Sequence, residues 1–151
     1  MTVPHTGPPL AAPDMDSAVE LLRSRGLRVS AARRLVLEAL FVADGPISAD
    51  RIADGLAGRL PRSDLASVYR NLETLESVGL VRHFHLGHSP GLYGLARSDE
   101  PEYLVCASCD AVRVVEPAAM GRVRSLIEDE FGYAATFSHF PIVGLCAECA
   151  G

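Results

Sequence analysis

The 151-residue chain carries 14 basic and 19 acidic side chains and a net charge of −5, a balance that disfavours a protein coating nucleic acid without regard to sequence. Lysine is absent, so every fixed cation is an arginine, a planar fork suited to phosphate and guanine. No stretch is long and apolar enough to cross a bilayer, and a core of this size is marginal without a staple, which favours two modules with one held by metal.

Residues 1–15 hold four prolines and little periodicity, and read as a disordered arm. From Asp16 apolar residues recur at helical spacing (Ala18, Val19, Leu21, Leu22) until Gly26 ends the helix. Ser30 caps a second helix, Ala31 to Val42, broken by Gly45 and Pro46. Ser48 starts a third, expected to run to Leu60, where Pro61 stops it. Ser63 or Asp64 caps a fourth, with Leu65, Val68, Leu72, Leu75 and Val78 facing inward and Gly79 closing it. Two strand-like runs follow, Leu80 to Leu86 and Leu92 to Ala96, joined by a loop from Gly87 to Gly91. Helices followed by a hairpin predict a winged helix over residues 16–96, with residues 97–102 a linker.

Residues 103–151 have a different rhythm: short strands at Tyr103 to Cys106 and Ala111 to Val115, a helix from Met120 to Phe131, then strands at Ala134 to His139 and Ile142 to Leu145. The expected fold class is therefore α+β, an N-terminal winged helix and a small C-terminal α/β module. That module contains all four cysteines, as Cys106-Ala-Ser-Cys109 and Cys146-Ala-Glu-Cys149 with 36 residues between the pairs. Two residues between thiolates let both sulfurs reach one ion, and two such knuckles complete the closed four-sulfur shell of structural zinc. Disulfides are the competing reading, but Cys-x-x-Cys disulfides belong mainly to redox folds, and a reducing, cytoplasmic setting is expected. A closed shell leaves no position for catalysis, the chain has no spare cysteine, and its one Gly-x-Ser-x-Gly run, Gly87 to Gly91, falls in the expected hairpin loop and not on the strand-to-helix turn of a nucleophile elbow, so no enzyme and no small organic substrate are expected.

The faces left over by the apolar stripe of the fourth helix present Ser67, Tyr69, Arg70, Asn71 and Thr74. Arginine pairs with guanine, asparagine with adenine, and tyrosine or threonine touches a thymine methyl or a phosphate. Arg28, Arg33 and Arg34 stand at the entry to the second helix, where phosphate or minor-groove contacts are expected. Between Asp16 and Leu80 nine arginines balance nine acids, so DNA binding would depend on a few placed arginines and on dimer geometry.

The segments Gly26-Leu-Arg-Val-Ser-Ala-Ala-Arg33 and Leu65-Ala-Ser-Val-Tyr-Arg-Asn-Leu72, with the doubled Cys-x-x-Cys, resemble the ferric uptake regulator family of metal-sensing repressors from about Asp16 to Cys149. The resemblance implies a winged-helix protein that dimerises through its C-terminal α/β module and, with a sensed metal bound, clamps palindromic double-stranded operator DNA.

Four of the five histidines, His83, His85, His88 and His139, suit a regulatory metal site. Residues two apart on a strand point to one side, so His83 and His85 present two imidazoles together. His88 follows in the loop, and His139 is the third ligand that would tie the modules. An all-imidazole site suits nickel, zinc, copper or cobalt, and ligand type does not separate them. The run His83 to Tyr93, and a histidine seven positions before Cys146, resemble the nickel-responsive branch, which implies nickel at His83, His85 and His139. In most members a histidine-rich run precedes the first knuckle and supplies a second regulatory site; here the run is Asp99-Glu-Pro-Glu-Tyr-Leu-Val-Cys106, and Pro46 replaces another frequent histidine. A single sensing site is expected, with a carboxylate site at Glu100 or Glu102 as the lesser reading. The rival functions are an iron-, zinc- or peroxide-responsive member of the same family and a constitutive zinc-stabilised DNA-binding protein.

Overall fold

The computed structural model describes residues 10–85, 90–97, 101–135 and 141–151. Its contacts divide the chain into two units, Met1–His83 with Gly91–Ser98, and Phe84–Pro90 with Asp99–Gly151.

The first unit begins with α1 (Met15–Ser24), whose N-cap Asp14 accepts from the Ser17 N–H at 2.8 Å; that bond lowers the Asp14 pKa. α2 (Ala31–Val42) is capped by Ser30, whose Oγ accepts from the Arg33 N–H at 3.2 Å, a bond that contributes about 1 kcal/mol. β1 (Ile47–Ser48), α3 (Ala49–Ala53) and α4 (Gly55–Gly58) follow, then α5 (Leu65–Ser77), capped by Asp64 rather than Ser63. β2 (Val81–Phe84) and β3 (Leu92–Leu95) complete a sheet of order β1-β3-β2, in which Ile47 lies opposite Tyr93 and Ser48 opposite Leu92. Leu22, Leu37, Ile52, Leu72, Leu75 and Leu80 are fully buried and fasten the helices to this sheet. Leu10 and Ala12 pack against the same core, and the Leu10 N–H donates to the Gly79 carbonyl at 3.0 Å. Residues 1–9 of the expected arm lie outside the described residues.

The expected third helix does not reach Leu60. It ends at Ala53, and the chain then makes one left-handed turn, α4, with φ of 77°, 52°, 57° and 89° at Gly55, Leu56, Ala57 and Gly58. Left-handed backbone costs an L-residue roughly 1–2 kcal/mol, so Leu56 and Ala57 are held there by something stronger. Leu56 is buried in the core, and the Leu60 N–H closes the turn on the Gly55 carbonyl at 2.9 Å. A Cβ on Gly55 would lie 2.2 Å from the Leu60 carbonyl oxygen, which reserves that position for glycine. The inward face of α5 also differs from expectation. Leu65 is exposed at the N-terminal turn, where the core does not reach, whereas Asn71 and Glu76 are buried.

The second unit is built on β4 (Glu102–Cys106), paired antiparallel with β5 (Val112–Val115) and parallel with β6 (Ile142–Gly144). Parallel pairing needs a long connection, which contains α6 (Pro117–Phe131). A short α7 (Ala147–Ala150), not anticipated from sequence, starts at Cys146. The expected strand from Ala134 is not formed at Ala134 and Thr136 onward lies outside the described residues. Among the described residues of this unit the fully enclosed side chains are few: Phe84, Glu102, Val105, Cys106 and Met120. The Glu102 carboxylate is paired with Arg124, which joins α6 to the sheet, and Phe84 stacks on Tyr103 with ring centres 5.3 Å apart. Arrangement and composition are those of an α+β protein.

Gly55→Ala should destabilise the first unit by at least about 2 kcal/mol, since it adds both left-handed strain and a backbone clash. Ala57→Gly should be neutral or stabilising by up to about 1 kcal/mol. Urea unfolding of the two variants checks both signs, and a destabilised Ala57→Gly would contradict the left-handed turn.

Candidate metal centre and nucleic-acid interface

The parallel register that sets Cys106 opposite Gly144 brings the two knuckles side by side. Cys106 ends β4, and the chain turns back through Asp110 (φ 58°), whose N–H donates to the Cys106 carbonyl at 3.0 Å. Cys146 caps α7 and Cys149 lies one turn along it. The Ala107 N–H donates to the Gly144 carbonyl at 2.8 Å and the Cys146 N–H to the Cys106 sulfur at 3.4 Å, so backbone bonds fix the gap between knuckles. All four Sγ atoms fall within 4.8 Å of one another, and those of Cys109 and Cys146 are 3.8 Å apart. That is far beyond the ~2.05 Å of a disulfide. It matches the edge of a tetrahedron, about 3.8 Å, drawn around zinc with Zn–S bonds of about 2.3 Å.

The electrostatics agree with a metal centre. Backbone N–H groups of Cys146, Cys109 and Ser108 directed at the Cys106 sulfur bring its pKa down to about 6. The neighbouring sulfurs, Cys146 first, push Cys149 up to about 12. Four thiols this close cannot all ionise by themselves, and a divalent cation is the partner that lets them do so. The four residues fit zinc in number, softness and spacing; the closed shell supplies rigidity and no open position for chemistry.

In the first unit α5 turns Tyr69 and Arg70 outward as expected, Tyr69 being 42% exposed. Arg28 and Arg34 are exposed and Ser67 and Thr74 half-buried. Asn71, expected on the outer face, is only 8% exposed, and its carboxamide is already engaged. Arg33 is half-buried and donates inward, to Asn71 Oδ1 and to the Arg28 carbonyl.

Of the four candidate metal-binding histidines, His88 and His139 lie outside the described residues, and His83 and His85 are half-buried. His83 stacks on Tyr93, with ring centres 4.3 Å apart and planes 8° from parallel. Its Nδ1 lies 3.9 Å from Oε2 of Glu76, a residue only 5% exposed on α5. Burial, and then the nearby charge of Glu73, raise the Glu76 pKa. The sign follows: stability from the protonated form is lost as pH rises through that raised value, and a cation beside the carboxylate offsets the loss. Glu76 belongs to no motif in the sequence; its one signal there is an acid four residues after Leu72 on an apolar stripe. Glu102 is paired with Arg124, and Glu100 lies outside the described residues.

The sequence profile of the ferric uptake regulator family matches residues 24–139. The peroxide operon regulator of Bacillus subtilis (strain 168) is 27% identical over 141 residues, which cover 93% of this chain and 97% of that protein. Among solved structures, the ferric uptake regulator from Pseudomonas aeruginosa with manganese superposes with a TM-score of 0.66 at 25% identity, covering 85% of this chain and 96% of its own. A zinc uptake regulator complexed with zinc and DNA gives a TM-score of 0.56 at 26% identity, covering 90% of this chain and 92% of its own.

One zinc per chain should be recovered by elemental analysis, and its removal by a chelator should expose four titratable thiols. Because structural zinc contributes roughly 10–16 kcal/mol of apparent binding free energy in small modules, Cys109→Ser should lose the ion and the protection of β4 and β6 amides from hydrogen exchange. A zinc-free variant with those amides still protected would contradict a structural role.

Proposed function

The chain belongs to the ferric uptake regulator family, and on that premise we propose that it is a repressor that reads palindromic operator DNA as a homodimer, gated by a regulatory metal ion, with nickel as the ion. The family is one of metal-responsive transcription regulators. The observation that carries the DNA assignment is α5, a helix capped and buried along one face that holds Tyr69 and Arg70 outward in a unit of helices and a small sheet. This suits a recognition helix of a winged-helix module. Arg70, with Tyr69 and Ser67, would meet base edges, and Arg28 the backbone.

The regulatory ion is assigned to His83, His85 and His139, with His88 the fourth ligand. The imidazole-only donor set suits nickel along with zinc, copper and cobalt, and support for nickel among these comes from the resemblance of the His83 to Tyr93 run and of the seven-residue spacing of His139 from Cys146 to the nickel-responsive branch. A specific observation favours a second reading. The buried Glu76 carboxylate beside His83 makes a mixed nitrogen and oxygen environment, which suits iron or manganese and an iron- or peroxide-responsive function. The similarity to the Bacillus peroxide operon regulator and to the Pseudomonas regulator with manganese points the same way.

Dimerisation is assigned to the second unit. Val112 and Val114 on the edge strand β5, Val143 on β6, and Leu126 and Phe131 on α6 are all exposed, Leu126 by 60% and Phe131 by 73%. So much exposed apolar surface on a small unit calls for a partner, and a second copy of the chain supplies a matching one.

Zinc-filled protein titrated with nickel, iron, manganese or zinc while operator binding is followed should respond most to nickel. A coupling of roughly 1–3 kcal/mol corresponds to a 5- to 150-fold rise in operator affinity. His83→Ala should abolish the rise and keep the cysteine-bound zinc. A larger response to iron or manganese, reduced by Glu76→Gln, would replace the nickel reading with the second one. Leu126→Glu should shift the protein from dimer to monomer in sedimentation, and an unchanged dimer would remove α6 from the interface.

A further inference from the structure

We infer that Arg33 and Asn71 form a positioning pin beneath the recognition helix and are not themselves DNA contacts. This rests on the DNA-binding reading of α5 and assigns to both residues a role different from the one their residue types suggest.

Asn71 directly follows Arg70 on α5, yet is 8% exposed. Reading an adenine takes a carboxamide whose acceptor and donor are both presented to the groove. Here Oδ1 accepts from Arg33 Nε at 3.1 Å, and Nδ2 donates to the Ser67 carbonyl at 2.9 Å. Arg33 in turn donates from Nη1 to the Arg28 carbonyl at 2.6 Å, while its backbone N–H donates to the Ser30 Oγ that caps α2.

One guanidinium therefore ties three pieces of the first unit together: the loop carrying Arg28, the first turn of α2, and the middle of α5. The fork matters, because a lysine ammonium has one nitrogen and cannot place donors at both the Nε and Nη1 positions. Without the pin a buried carboxamide oxygen loses its partner, and α5, held otherwise by its apolar face, loses a polar contact that adds to fixing its roll about its own axis. Tyr69 and Arg70 then meet the bases at a changed angle, while the number of cations near the phosphates stays the same in Asn71→Ala and Arg33→Lys.

The test uses full-length, zinc-filled protein with nickel added. The parent selects duplexes from a random-sequence library, and the enriched duplex and a shuffled duplex of equal composition are the probes, each titrated at several salt concentrations. Arg33→Lys, Asn71→Ala and the double variant Arg33→Lys/Asn71→Ala should each bind the enriched duplex about tenfold more weakly, with affinity for the shuffled duplex and the salt slope unchanged. The double variant should be no worse than either single one, because the two share one interaction. Arg33→Lys keeps the charge and most of the stem, so its folding, read by thermal melting, is the safeguard if Asn71→Ala unfolds. Should Arg33→Lys bind like the parent while Arg33→Ala weakens both duplexes and lowers the salt slope by about 1, Arg33 is a phosphate contact and the pin is wrong. Loss of selectivity at a single base position in Asn71→Ala also overturns it. A parent that enriches no duplex overturns the regulator reading and the pin together, whereas the other two outcomes leave that reading in place.

Discussion

The second unit depends on the convergence of its four cysteine sulfurs. Among the described residues of this unit five side chains are buried, one of them the charged Glu102, and a core of that size gains from a metal staple in holding three strands and a 15-residue helix. The knuckles lie at one end of the β4 and β6 pair, so an ion held there closes the sheet, the β4 to β5 turn and the start of α7 in one place. Sulfurs at a separation of 3.8 Å suit a tetrahedral ion and oppose one another without it. A closed four-sulfur shell leaves no open position for an incoming ligand, which is why the proposed metal sensing falls to the histidines.

In the proposed function, DNA reading falls to α5 and sensing to the histidines, one of which lies beside it. The outer face of α5 carries Tyr69 and Arg70, and its inner face carries two polar residues that the core would ordinarily exclude, Asn71 and Glu76. Asn71 faces Arg33 from α2, and Glu76 faces His83 from β2. An ion at His83 would therefore lie beside a carboxylate of α5, the proposed recognition helix. In the proposed nickel reading metal binding and operator binding are linked through the geometry of the dimer; in the iron or manganese reading the Glu76 carboxylate adds a direct link to α5. Asn71 is tolerated in this core because its carboxamide is hydrogen-bonded, and Glu76 has His83 beside it.

The legible parts of the sequence were those set by local chemistry. Ser30 and Asp64 as caps, and each Cys-x-x-Cys as a metal knuckle, need only neighbours a few residues away; the parallel pairing of β4 with β6 then brings the two knuckles into one cluster. The third helix was overrun because Leu56 and Ala57 are good helix formers by residue type, while Gly55 answers to the carbonyl of Leu60, which periodicity does not reveal. Asn71 was assigned outward because its residue type suits a base edge. Its partner Arg33 stands 38 residues earlier, and only tertiary packing brings the two together. Glu76 was overlooked for the same reason, with His83 reaching it from another element. Metal identity is a different case: imidazole and carboxylate donors are shared among several divalent ions, so the residue list narrows the choice without making it.

X-ray absorption at the zinc edge, recorded on the purified protein before and after addition of the regulatory metal, tests the division of labour most directly. Four sulfur neighbours at about 2.3 Å are expected in both spectra, unchanged when the second metal binds. A shell with fewer than four sulfurs, or one that gains nitrogen or oxygen neighbours on metal addition, would show that the cysteine centre itself responds to the signal and would contradict a purely structural zinc.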